Sequence, residues 1–141
     1  MRAAATDPRY RMCLAWGALY GIAPSRDGAS GSSGMNGLDA RTTAWFFGSG
    51  SAEEVARKAA GFTLAPVIGD LSCDLVVFHG AADMQVPVAQ AQQVVAEATA
   101  ARSTELHIYT AGDGGEQHCH LNNVGTSLGH MTDRVAALLH A

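Results

Sequence analysis

The chain has 141 residues, 48% of them hydrophobic and 16% charged, with a formal net charge of −4. That is the length of one domain, too apolar to stay disordered and without the basic footprint of a nucleic-acid binder. No apolar run reaches the roughly eighteen residues of a membrane-spanning helix, and charge this sparse fits an oligomer or a piece of something larger.

Met1 to Ala5 reads as the end of a helix, stopped by Asp7-Pro8 because a residue before proline is pushed out of the α region. Neither this stretch nor the odd set of Cys13, Cys73 and Cys119 points to secretion, so a reducing cytoplasm is expected. Arg11 to Gly17 is a short apolar strand ending at glycine. Residues 24–38 are rich in Gly and Ser and read as a flexible loop. Leu38–Phe47 and Ala52–Ala60 are helical in composition, the second opened by a Ser51-x-x-Glu54 capping box and stopped by Gly61. Trp45-Phe46-Phe47 is expected in the core or as a cap lining a pocket.

Phe62 to Leu64 is a short extended piece before Pro66. Leu75 to His79 is the strongest strand, and its lack of polar alternation suits a parallel strand buried on both faces. Val88 to Ala101 is the strongest helix, with Pro87 in its first turn and Val88, Ala91, Val94, Val95 and Ala98 on one face. Glu105 to Tyr109 is a further strand, and Val124 to Leu139 a last helix with Val124, Leu128, Met131, Val135 and Leu138 near helical spacing. Strands alternating with helices predict an α/β fold with a parallel sheet and right-handed crossovers. About three strands leave an open edge, which recruits partners.

Two loops carry candidate chemistry. Asp83 follows the strand that ends at Gly80, and His118 follows the strand that ends at Tyr109, within Gly114-Gly115-Glu116-Gln117-His118-Cys119-His120. Open α/β sheets place their active sites beyond the carboxyl ends of their strands. An acid and a later histidine on consecutive strand-end loops are two thirds of a Ser–His–Asp triad. The plain alternatives are a turn-capping Asp83 and a solvated His118. Zinc binding by His118, Cys119 and His120 is disfavoured, because adjacent residues rarely share one ion and no fourth ligand is evident. Cys119 as a nucleophile meets the objection that Cys–His pairs are usually distant in sequence. His79 and His107 lie within strands and read as packing histidines. The nucleophile itself is missing: neither Ser30 nor Ser33 completes G-x-S-x-G.

Residues 7–20 and 62–140 resemble the C-terminal part of an α/β-hydrolase, best the subgroup of fermentation–respiration switch (FrsA-like) esterases and 2,6-dihydroxypseudooxynicotine hydrolase. The resemblance rests on Phe62-Thr63-Leu64, on the strand to Gly80 with Asp83 and Val86-Pro87, on Gln90-Ala91, and on Gly115-Glu116-Gln117-His118-Cys119-His120-Leu121-Asn122. It implies Asp83 as the acid, His118 as the base, no catalytic part for His120, and hydrolysis of an ester or of a carbon–carbon bond next to a carbonyl. In that family the nucleophile elbow precedes a segment like Ala3 to Arg9, so the first strands, the oxyanion-hole loop and the serine are expected to lie outside this sequence.

The expectation is therefore a partial α/β-hydrolase domain over residues 1–141, with a helical cap over 21–60 and the Asp- and His-bearing units over 62–141. It takes a small-molecule carbonyl or ester substrate, no cofactor, no metal, no nucleic acid and no membrane. Its partner is a complementary N-terminal half or a second copy. The rival expectation is an inactive remnant or interaction module that pairs through its exposed sheet edge.

Overall fold

The computed structural model of the chain describes residues 1–22 and 40–140. The Gly/Ser-rich stretch, Ser30, Ser33 and the expected helix start at Leu38 lie outside the described residues. The elements run α1 (Arg2–Thr6), β1 (Met12–Trp16), α2 (Ala40–Phe46), α3 (Ala52–Ala59), β2 (Asp74–Gly80), α4 (Val88–Glu97), β3 (Ser103–Tyr109) and α5 (Val124–Leu139). One-turn 3-10 segments cover Ile68–Asp70 and His118–His120.

The strands form one sheet in the order β1-β2-β3. β1 pairs parallel to β2 from Met12↔Asp74 to Trp16↔Phe78. β2 pairs parallel to β3 from Asp74↔Ser103 to Gly80↔Tyr109. The central place of β2 explains its composition: Leu75 to Gly80 is buried on both faces, as the unbroken apolar run requires. On one face Cys13, Ala15, Leu75 and Val77 pack against Ala4 of α1, Ile68 and Leu71, and Ala91 and Val94 of α4. On the other, Val76, Phe78 and Tyr109 pack with Leu14, Trp16 and Met131 of α5. Helices therefore cover both faces of the parallel sheet. Each fully buried branched side chain contributes about 1.5–3 kcal/mol by leaving water.

Several local expectations need correction. α4 ends at Glu97 rather than Ala101, because β3 begins at Ser103 to pair with Asp74 and leaves a tight turn over 98–102. A hydrogen bond from Ala101 N to the Ala98 carbonyl, 3.1 Å, closes that turn. Ser51 caps α3 by accepting from Glu54 N at 3.2 Å. The reciprocal half of the box is absent, since the Glu54 carboxylate accepts from Ser49 Oγ at 2.7 Å and pairs with Lys58 at 3.0 Å. Trp45 and Phe46 are not core: they are 82% and 60% exposed. Phe47 alone of the three turns inward, packing on the Val55–Ala59 cluster and meeting the Phe62 ring edge-on at 5.4 Å. The expected apolar face of α5 is only partly used, with Met131 packed inward and Leu128 and Val135 exposed. The extended piece at Phe62 to Leu64 reduces to one antiparallel bridge, Gly21↔Thr63.

Candidate active site

The carboxyl ends of β2 and β3 open onto one place. β2 runs into Gly80, and the loop after β3 crosses it so closely that a Cβ on Gly80 would sit 2.3 Å from the Glu116 carbonyl oxygen and 2.5 Å from that of Gln117. A glycine is needed there for the approach itself. The Ala82 amide donates to the Glu116 carbonyl at 2.8 Å, tying the two loops together. Asp83 and His118 are thereby brought face to face, although 35 residues separate them.

The Asp83 side chain is fully buried and saturated with donors. Its Oδ1 accepts from the backbone amides of Gln85 and Val86, both at 2.8 Å, which fixes the carboxylate in an Asx-type turn before α4. Its Oδ2 accepts from Nδ1 of His118 at 2.8 Å. A carboxylate can only accept, so the His118 proton resides on Nδ1 and Nε2 carries the free lone pair. The His118 side chain is 26% exposed, while the Asp83 side chain behind it is fully buried. An imidazole whose Nδ1 donates to a buried carboxylate has its other nitrogen left able to accept a proton.

His79, read as a packing histidine, is fully buried and donates through Nε2 to the Val86 carbonyl at 2.8 Å. It also lies 3.6 Å from Asp83 Oδ2, bracing the acid's loop from the strand side. His107 stacks on Phe78 with ring centroids 5.1 Å apart and bonds Glu105 at 3.2 Å, away from the strand ends.

The turn that carries His118 is strained. Cys119 and His120 both have positive φ, 48° and 52°, and these are the non-glycine residues with that conformation among the described residues. Each such residue costs on the order of 1 kcal/mol, and strain of this kind collects at functional sites. The conformation swings the Cys119 sulfur to 3.4 Å from His118 Nε2, a weak contact. Burial, with the Asp83 charge adding to it, pushes the Cys119 thiol above its ordinary pKa of 9.0 and keeps it protonated. His120 is fully buried, and its Nδ1 accepts from the Trp16 indole N–H at 3.0 Å. Burial above all depresses its pKa, so the ring stays neutral. Among the described residues no group of His, Cys, Asp and Glu is arranged to hold a metal ion. The triplet at 118–120 is committed instead, His118 to Asp83 and His120 to Trp16.

Asp83 and His118 are legible in the sequence, whereas the close approach at Gly80, the Trp16 donor and the packing part of His120 are not. Glycine at the end of a buried strand was the one available signal for the close approach. An indole N–H at a strand end needs a partner when buried, but nothing in the sequence names that partner.

No family model matches the chain, and no curated protein matches it in sequence. Two solved structures are similar to it. One is 2,6-dihydroxy-pseudo-oxynicotine hydrolase, 21% identical with a TM-score of 0.56, over 87% of this chain and 31% of that one. The other is the Pyrococcus furiosus esterase Pf2001, 15% identical with a TM-score of 0.56, over 99% of this chain and 47% of that one. The chain spans less than half the length of either protein. Three parallel strands in sequence order, helices on both faces and these two structural neighbours give the chain the fold of part of an α/β-hydrolase.

Proposed function

We propose that these residues supply the acid and the base of a Ser–His–Asp hydrolase acting on a carboxylic ester or on a carbon–carbon bond next to a carbonyl. The observation that carries the reading is the 2.8 Å bond from His118 Nδ1 to the buried, doubly hydrogen-bonded Asp83 carboxylate. In this reading His118 Nε2 takes the proton of an attacking serine hydroxyl and then returns it to the leaving group. Asp83 holds the required tautomer and stabilises the imidazolium while it exists.

The serine and the oxyanion donors come from polypeptide beyond this sequence, either an N-terminal half of the same product or a separate chain. The fraction of each structural neighbour covered, 31% and 47%, supports this division. Residues 1–141 are then the C-terminal portion of the domain, 21–60 its cap, and 62–141 the units bearing the acid and base. The substrate is a small molecule, and three free thiols favour a reducing cytoplasm. A second reading, an inactive module that pairs through its sheet edge, is favoured by β1 and β3 both being edge strands.

The test is hydrolysis of p-nitrophenyl esters by the 141-residue chain and by the longest in-frame product that contains it. The chain alone should be inactive. The longer product should hydrolyse the ester and lose at least about 10³-fold in rate on His118→Ala. Activity of either species that survives His118→Ala sinks the reading, and a monodisperse, inactive homodimer from both supports the module.

A further inference from the structure

We infer that Trp16 and His120 form the anchor that positions the base, holding His118 against Asp83 from the far side of the strained turn. The inference rests on the reading of Asp83 and His118 as an acid–base pair and adds two residues from outside it.

His118 sits on a turn that its own backbone disfavours, because Cys119 and His120 are both left-handed. Something must hold that turn closed. Its backbone bonds, His120 N to the Gln117 carbonyl at 2.9 Å and Asn123 N to the His120 carbonyl at 2.8 Å, are local and move with it. The His120 ring is what reaches the sheet. It is fully buried, its centroid lies 4.4 Å from that of Tyr109 at the end of β3, and its Nδ1 takes the indole proton of Trp16 at the end of β1. Its Nε2 faces the His79 backbone without a well-formed hydrogen bond to it. The Trp16 indole is therefore the hydrogen bond that ties this side chain to the end of β1, while the His79 backbone of β2 lies against the same ring.

The tether also fixes direction. His118 and His120 flank one residue whose sulfur lies against Gly17, where a Cβ would be 3.1 Å from Cys119 Sγ and 3.6 Å from His118 Cε1. Gly17 directly follows Trp16 and is bonded to β2 through the Phe78 carbonyl at 2.9 Å. The end of β1 thus supplies both the anchor for His120 and the surface that backs His118. Burial keeps His120 neutral, so its Nδ1 stays an acceptor for the indole. Trp16 and His120 are positioning residues in this scheme, since they act through His118.

The experiment uses the full 141-residue chain with ¹⁵N-labelled histidine and follows the His118 Nδ1 proton and its exchange with solvent by NMR. Trp16→Phe removes the donor and keeps an aromatic ring. Exchange of the His118 proton should quicken about tenfold, the factor of one buried hydrogen bond, while β2 amides keep their protection. His120→Leu should act in the same direction. His120→Asn offers an acceptor where Nδ1 stood and should restore slow exchange, which a loss of packing alone does not explain. Unchanged exchange in Trp16→Phe, with β2 still protected, overturns the anchor and leaves the acid–base pair standing. A parent chain with no protected His118 Nδ1 proton overturns both.

Discussion

Gly80→Ala isolates the contact on which the site is built. The new Cβ would lie 2.3 Å from the Glu116 carbonyl oxygen, and ordinary contact begins at 3.4 Å. The atoms in the way are backbone, so no side-chain rotation relieves them. Either β2 or the loop after β3 must retreat by about 1 Å, and the loop is the softer of the two because β2 is paired on both edges. A retreat of that size takes the 2.8 Å bond between His118 and Asp83 beyond hydrogen-bonding range. It also breaks the bond from Ala82 N to Glu116. Overpacking at a tight site costs about 1–3 kcal/mol. Urea denaturation of Gly80→Ala should show that loss with an unchanged slope, and the His118 Nδ1 proton should lose its protection. A variant within about 0.5 kcal/mol of the parent, with the His118 proton still protected, would refute the argument that this contact sets the loop.

Two further outcomes follow from titrating groups. His120 is buried and neutral with its pKa below the ordinary 6.5, so the unfolded chain takes up a proton first as pH falls. Its contribution to stability is complete above about 6.5 and is lost as pH drops toward the lower folded value, and His120→Asn should flatten that part of a stability–pH curve measured by denaturation. The Cys119 thiol is raised above 9.0, so alkylation near neutral pH should be slower than for free cysteine and should accelerate into the alkaline range. Mass mapping should find Cys119 modified before the buried Cys13 and Cys73, and rapid labelling of Cys119 at neutral pH would contradict its protonated state.

The sequence by itself determined the order of the elements and the kind of sheet. Leu75 to His79 carries no polar alternation, a pattern stable only when both faces are covered, and it became the central strand. The helical spacing around Ala91 and Val94 likewise set which face of α4 turns inward. That Asp83 and His118 would meet was also legible, because parallel strands in sequence order bring their following loops to the same end of the sheet. The tertiary structure decided the rest. The length of α4 was settled by pairing between Ser103 and Asp74, which no local propensity contains. Residue type leaves Trp45 open between core and a cap lining a pocket, and among the described residues only Phe47 of that trio finds a cluster to join. The partner of the Trp16 indole lies 104 residues away, and the left-handed turn that presents it runs through two non-glycine residues, Cys119 and His120. Periodicity encodes which face of an element is buried; which buried polar groups find each other depends on the packing of the sheet ends, and that exists only once the chain has closed.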